Sequence, residues 1–152
     1  MATIIADDAL ALQRLYHWER TAPERVALTQ PLGGGVVRDY TWREVLDQSR
    51  RMAAHLQGLG LQPGDRIAIL SKNTAHWLMS DFAIWLAGCV SVPLFPTLAP
   101  GTIRQILGHS ESRLLFVGKL DGWDHMKSGV PEGLPCISHP LAPQDAQASY
   151  PR

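Results

Sequence analysis

The sequence lacks an excess of charge of either sign and contains few cysteines. Its 152 residues include 14 Lys and Arg and 14 Asp and Glu, so the formal net charge is zero, and no basic run stands out. Because a nucleic-acid-binding surface depends on clustered positive charge, we expect no nucleic-acid partner. The two cysteines, Cys89 and Cys136, form no Cys-x-x-Cys pair, which predicts reduced thiols in a cytoplasmic protein.

The sequence also lacks the patterns of a secretory leader and of a membrane span. Its first ten residues carry two aspartates and no basic residue, unlike a signal peptide. A membrane-crossing helix needs about 20 mostly apolar residues, whereas the most apolar stretch, residues 77–95, is interrupted by Ser80, Asp81, Gly88 and Pro93. We therefore expect a buried core segment here and no transmembrane segment.

Motifs that hold phosphates are incomplete. Gly33-Gly34-Gly35 is followed by the extended pattern of residues 36–40, so a hairpin turn is predicted there, since a phosphate loop needs a following helix. Gly118-Lys119 resembles the end of a phosphate loop. However, Arg113 stands where the first glycine would be, and Leu120 replaces the Ser or Thr that contacts magnesium. An exposed lysine at the end of a strand is the expectation.

The histidines and serines give no catalytic or metal-binding pattern. No two histidines are three or four residues apart, which leaves a zinc site without local ligands, and no Gly-x-Ser-x-Gly motif is present. Solvated or capping histidines are therefore expected. The sequence alone assigns no catalytic, cofactor-binding or metal-binding residue. The six histidines are His17, His55, His76, His109, His125 and His139.

Periodicity in the first third predicts a helix over residues 7–20 and a hairpin of two strands, residues 26–30 and 36–40. A second helix follows, and its start carries the signature of a capping box, in which the Thr41 side chain and the Glu44 carboxylate each bond the other residue's backbone amide.

From residue 66 onward, strands alternate with helices. That alternation predicts parallel strands joined by right-handed crossovers. The expected fold is α/β: a doubly wound, mostly parallel sheet with helices on both faces, preceded by a short N-terminal helix and a β-hairpin. Strands are predicted over residues 66–70, 89–95, 114–117 and 135–138.

The composition changes after His139 to proline, glutamine and serine. This change predicts an N-terminal α/β subdomain over residues 1–139. Residues 140–152 are expected to be a polar, proline-rich linker or a truncated end instead of a packed terminus.

Several segments, taken in chain order, resemble the adenylate-forming (AMP-binding) enzyme family. Residues 40–45 look like its Tyr-Thr-x-x-Glu helix start, residues 61–69 like its Gly-Asp-Arg-Val strand, and residues 88–93 like its Gly-x-Val-x-Val-Pro run. Pro96-Thr97 and residues 103–117 are similar to the long-chain fatty-acyl-CoA synthetases in particular. The resemblance covers about residues 22–118.

This resemblance implies an N-terminal fragment of a long-chain fatty-acid–CoA ligase. The full-length enzyme would use ATP and Mg to form an acyl-adenylate, and coenzyme A to accept the acyl group. It would work in the cytoplasm or at a membrane surface. The family's Pro-Lys-Gly phosphate loop, its aromatic-Gly-x-Thr-Glu motif, its ribose-binding aspartate and its C-terminal lysine do not occur here. The fragment is therefore expected to be catalytically incomplete, to bind no cofactor, and to have the rest of the ligase chain as its partner.

The alternative is a stand-alone α/β binding or dimerisation module without enzymatic activity. The apolar helix predicted over residues 74–87 would expose one face if its neighbours were missing, and such a face suits a homodimer. A third hypothesis is a small flavodoxin-like nucleotide-binding protein. It requires a phosphate site formed by a loop and a following helix, which the sequence does not provide.

Overall fold

An N-terminal layer of helices and a hairpin opens the computed structural model, which describes residues 6–151. A 3-10 turn over Asp7–Ala9 precedes the first helix. Leu10 is extended, so the helix predicted over residues 7–20 consists of two pieces. The layer comprises α1 (Ala11–Thr21), the antiparallel strands β1 (Val26–Gly33) and β2 (Val36–Thr41), and α2 (Trp42–Gly58).

The glycine run forms a hairpin turn, as predicted. Gly34 and Gly35 have φ angles of 57° and 79°, and a two-residue hairpin turn with positive φ at both positions suits the twist of the flanking strands. Pro31 pairs with Val37 inside the ladder, so β1 extends three residues beyond its predicted end. A phosphate loop is excluded here because a strand follows the turn.

The predicted capping box is present at the start of α2. The Glu44 amide donates to Thr41 Oγ1 at 3.3 Å, and the Thr41 amide donates to Glu44 Oε2 at 2.8 Å. These two bonds satisfy backbone donors that a helix start otherwise leaves without partners.

A parallel sheet forms the centre of the fold, and its strand order is β4-β3-β5-β6. Because β4 and β5 lie on opposite sides of β3, the chain reverses its direction of winding, and the predicted doubly wound sheet is confirmed. Within residues 6–151, no helix combines the length and hydropathy that crossing a bilayer requires. The remaining elements are β3 (Arg66–Leu70), α3 (Ala75–Leu86), β4 (Val90–Leu94), α4 (Pro100–His109), β5 (Leu114–Val117), α5 (Trp123–Met126), β6 (Cys136–Ser138) and α6 (Gln144–Ser149).

Apolar side chains cover both faces of the sheet. In β3, Ile67 and Ile69 belong to the cluster formed with α2 and α3, while Ala68 and Leu70 belong to the cluster formed with α4, α5 and α6. All four side chains are fully buried. The continuous apolar run of β3 is what a strand with helices on both faces requires.

The strand predicted to be buried over residues 89–95 is instead an edge strand. Val90 is 49% exposed and Phe95 is 77% exposed, and no described strand pairs with the outer side of β4. An apolar run does not distinguish a central strand from an edge strand. Pro93, which has no amide hydrogen for a ladder, is typical of the edge position.

Residues 140–151 pack against the sheet, which differs from the unpacked end that the composition predicts. Ala142 and Ala146 are buried in the cluster with α4 and α5, and the Ser138 amide donates to the carbonyl of Pro151 at 2.8 Å. Small alanines provide the contact, and a six-residue helix is too short to show a periodic pattern.

Candidate functional site

The carboxyl ends of the parallel strands mark the candidate site, because doubly wound sheets hold ligands along this edge. The segments that leave the strands there are residues 71–73 after β3, 95–96 after β4, 118–119 after β5 and 139–140 after β6. The direction of winding reverses between β3 and β5, so the crevice between their ends is the first place to examine.

Hydrogen bonds within the chain close this crevice. The Lys119 amide donates to Ser71 Oγ at 3.0 Å, and the Lys72 amide donates to the Lys119 carbonyl at 2.8 Å. The Lys72 ammonium forms an ion pair with Asp121. The Lys119 side chain is exposed, as predicted. Because the amides of Lys72 and Lys119 already have partners, they are not available to a phosphate group.

Gly118 allows the backbone of β5 to approach β3 and His139 closely. A Cβ atom at this position would lie 2.1 Å from Ser71 Oγ and 2.7 Å from His139 Nδ1. Both distances are shorter than any van der Waals contact. The glycine therefore serves close packing beneath the crevice, and the phosphate-loop likeness of Gly118-Lys119 has no structural counterpart.

His139 lies in the core beside this crevice. Only 4% of its surface is exposed, and its Nε2 lies 2.9 Å from Ser80 Oγ on α3. Burial, and then the neighbouring His76, lowers the pKa of His139 to about 3. The imidazole is therefore neutral at physiological pH.

His76 approaches His139, with the ring centroids 6.1 Å apart, and burial lowers the pKa of His76 also. Its Nδ1 is buried and has no partner among the described residues, and the same holds for Nδ1 of His139. The expectation that the histidines are solvated or act as caps is wrong for this pair. No sequence signal identifies it, because the two residues come together only through the crossovers of the sheet.

A cleft opens above the two histidines, between α2, α3 and the end of β6. Its volume is about 160 Å³. Its polar lining comes from two histidines, two serines and a glutamine, and its apolar lining includes two methionines. The lining residues are Gln48, Met52, His76, Met79, Ser80, Ile137, Ser138, His139 and Pro140.

Metal-ligating side chains do not gather elsewhere in the described part of the chain. No three residues among His, Cys, Asp and Glu within residues 6–151 are placed to share an ion. Cys89 and Cys136 are free, buried thiols, and they belong to clusters on opposite faces of the sheet. Burial raises the pKa of Cys136 to about 11, so this side chain remains a thiol at neutral pH.

Comparisons with known proteins agree with the fold. The family model for AMP-binding enzymes matches residues 15–148. The long-chain-fatty-acid–CoA ligase FadD15 of Mycobacterium bovis is 38% identical over 102 residues, which are 67% of this chain and 17% of that protein. The long-chain-fatty-acid–AMP ligase FadD32 of Mycolicibacterium smegmatis is 40% identical over 72 residues, 47% of this chain and 11% of that protein.

A solved structure also agrees with this fold. A benzoate CoA ligase from Burkholderia xenovorans superimposes with a TM-score of 0.71 at 25% identity, over 86% of this chain and 26% of the ligase. The chain thus spans about a sixth of the length of the first of these curated relatives.

Proposed function

Because this chain belongs to the AMP-binding enzyme family, whose model matches residues 15–148, we propose that it supplies the N-terminal α/β part of a long-chain fatty-acid–CoA ligase. The observation that carries this proposal is the 38% identity over 102 residues with a ligase of that description. The doubly wound sheet and the capping box of α2 lie within the matched region.

The complete ligase would run two steps. A fatty-acid carboxylate attacks the α-phosphate of ATP, with Mg bound, and pyrophosphate leaves as the acyl-adenylate forms. The thiol of coenzyme A then attacks the acyl carbon, and AMP leaves as the thioester forms.

The use of ATP and coenzyme A favours a cytoplasmic location for the reaction. A long-chain substrate favours contact of the ligase with a membrane surface.

This part of the ligase acts as a scaffold in the proposal. Phosphoryl chemistry depends on donors that surround the phosphate oxygens and on a metal ion. The amides of Lys72 and Lys119, at the crevice between β3 and β5, are already used within the chain. The residues that hold ATP and Mg would therefore come from the remainder of the ligase, which is the partner of this part.

A ligase that stops at the adenylate is the second candidate function. The 40% identity over 72 residues with a fatty-acid–AMP ligase supports it. Both candidates share fatty-acid activation by ATP, and they differ in whether coenzyme A then takes the acyl group from the adenylate. Activity of the complete protein with and without coenzyme A separates them.

A homodimer is the other arrangement to test. The helix expected to expose an apolar face, α3, buries Met79, Ala83 and Ile84, so the exposed apolar surface lies beside β4 instead. Val90 and Phe95 are exposed along this edge. If the 152-residue chain sediments as a monomer at high protein concentration, the result counts against this arrangement. A stable dimer would favour the stand-alone module.

Calorimetric titration of the 152-residue chain with ATP and Mg tests the scaffold role. We expect no saturable heat, because the backbone amides of Lys72 and Lys119 at the crevice are already bonded within the chain and a single exposed lysine does not surround a triphosphate. A full-length fatty-acid–CoA ligase, titrated under the same conditions, serves as the positive control. A micromolar dissociation constant for the 152-residue chain would overturn the proposal.

A further inference from the structure

One carboxyl group of α3 is buried without a charged partner. Only 8% of the surface of Asp81 is exposed. Burial raises the pKa of this carboxyl, and the Ser91 hydroxyl on β4 is the only group that lowers it. No charged side chain of the described residues therefore stabilises the carboxylate, and an ionised carboxyl is costly to bury without a countercharge.

Asp81 lies at the border between the covered and the open face of α3. Residues three apart are neighbours on a helix: Ile84 on one side is fully buried, and Leu78 on the other is 36% exposed. The Ser91 oxygen is enclosed and has no hydrogen bond of normal geometry, whereas the carboxylate oxygens of Asp81 are not enclosed in this way. Since β4 is the outermost strand on this side of the sheet, a partner reaches Asp81 along the outer side of β4.

The outer side of β4 is rich in hydrogen-bond acceptors. The Val90 amide donates to the Asp65 carbonyl at 2.8 Å, and successive residues of a strand direct their peptide groups to opposite sides. Ser91 and Pro93 therefore face away from β3, and no strand of the described chain pairs with their carbonyls. Because proline has no amide hydrogen, this side offers two carbonyl oxygens and a single amide beside the carboxylate of Asp81.

Two indole rings flank the carboxyl group. Trp77 and Trp85 stand four residues before and after Asp81, so both are its neighbours on α3, and both are partly exposed. Trp77 also lines a space of about 140 Å³ beside Pro93 and Phe95. Indole faces attract cations, and more often arginine than lysine. The aliphatic stem of such a side chain packs on apolar surface of this kind.

We propose that an arginine side chain from the remainder of the ligase binds at Asp81, between Trp77, Trp85 and the outer side of β4. The planar guanidinium carries five donors, enough for the carboxylate and a strand carbonyl at once, whereas lysine carries its three donors on one atom. The chain covers 17% of the first curated relative, which supports a source outside these residues. The source of the arginine rests on the proposed function; the affinity of the 152-residue chain for a guanidinium group does not.

Methylguanidinium and methylammonium chloride are the probes that test the site, because they differ in shape and donor number but not in charge. In the 152-residue chain labelled with ¹⁵N in its tryptophans, the indole signals of Trp77 and Trp85 report on the site. Trp123, buried on the opposite face of the sheet, is the internal control. At constant ionic strength, we expect methylguanidinium to shift the two signals saturably, with a dissociation constant on the order of 10 mM. Methylammonium should bind about tenfold more weakly.

Asp81→Asn is the variant that tests the role of the carboxylate. It should weaken methylguanidinium binding about tenfold and remove the preference over methylammonium, since the charge-assisted bonds are lost. Asp8→Asn, at an exposed position, should leave both unchanged, and an unaltered Trp123 signal shows that the variants remain folded. No saturable shift, equal affinity for the two probes, or a preference that survives in Asp81→Asn would each overturn the proposal.

Thermal unfolding at pH 7 tests the source of the arginine. In the 152-residue chain, Asp81→Asn should raise the midpoint by about 3 °C, because an unpaired buried charge is removed. In the complete ligase the same change should lower the midpoint, because the arginine loses its partner. No rise in the 152-residue chain, or a rise in both proteins, would contradict the proposal.

Sedimentation of the 152-residue chain separates a second copy from the remainder of the ligase. A wild-type dimer that Asp81→Asn dissociates would assign the arginine to the second copy and overturn the proposed source, whereas a monomer in both agrees with the proposal. Methylguanidinium binding is measured without ATP or fatty acid. A loss of this site is therefore distinguished from a failure of the ligase proposal, which pyrophosphate release tests.

Discussion

Acidification from pH 7 to pH 4 is expected to lower the free energy of unfolding by about 3 kcal/mol through His139 alone. Burial and His76 lower the pKa of this residue to about 3 in the folded protein, whereas an unfolded chain binds the proton near pH 6.5. As the pH falls below 6.5, the unfolded state therefore gains a proton that the folded state does not bind. Stability is full above pH 6.5 and is lost progressively towards pH 3.

Urea unfolding of the wild type and of His139→Gln, measured at each pH unit from 7 to 4, checks this expectation. Glutamine keeps a hydrogen-bonding group near Ser80 but does not titrate, so the stability of the variant should fall less steeply with acid. His109→Gln, at an exposed position, is the matched control and should follow the wild type. If His139→Gln shows the wild-type slope, the buried neutral imidazole is not the cause.

Gly118→Ala is expected to lower the free energy of unfolding by about 3 kcal/mol, the upper range for forcing a methyl group into a filled space. The new Cβ would lie 2.1 Å from Ser71 Oγ. That oxygen accepts from the Lys119 amide and donates to the Lys72 carbonyl, so it moves only if these bonds break. Chemical denaturation followed by circular dichroism measures the loss.

Two further variants test the cause of this loss. Gly108→Ala in α4 meets no atom within 4 Å and should be neutral or stabilising by up to about 1 kcal/mol, since alanine favours helix. Adding Ser71→Gly to Gly118→Ala removes the closest clashing atoms and should restore part of the lost stability. A Gly118→Ala variant as stable as the wild type would contradict the close approach of β5, β3 and His139.

Local signals account for the parts of the fold that the sequence predicts correctly. Thr41 and Glu44 identify the start of α2 because both halves of a capping box lie within four residues. The alternation of apolar strands and helices predicts the doubly wound sheet because each strand must be covered on both faces. The hairpin turn follows from glycines that tolerate positive φ.

Features that depend on distant contacts could not be predicted from local patterns. The apolar run of β4 has the character of a buried strand, yet β4 lies at the edge, since strand order is not encoded in hydropathy. His76 and His139 come into contact only in the assembled sheet, because His76 lies on α3 and His139 follows β6. The resemblance to AMP-binding enzymes predicts the family correctly but assigns no residue of this chain a catalytic role, and the cleft has no sequence signature.

The native gene product, captured from source cells with an antibody raised against the 152-residue chain, offers the most direct test of the ligase proposal. The measurement is pyrophosphate release from ATP by the captured protein, with and without a long-chain fatty acid. We predict release that depends on the fatty acid, from a protein several times heavier than the 16.8 kDa of this chain. A captured protein of 16.8 kDa that releases no pyrophosphate would contradict the ligase and favour a stand-alone module.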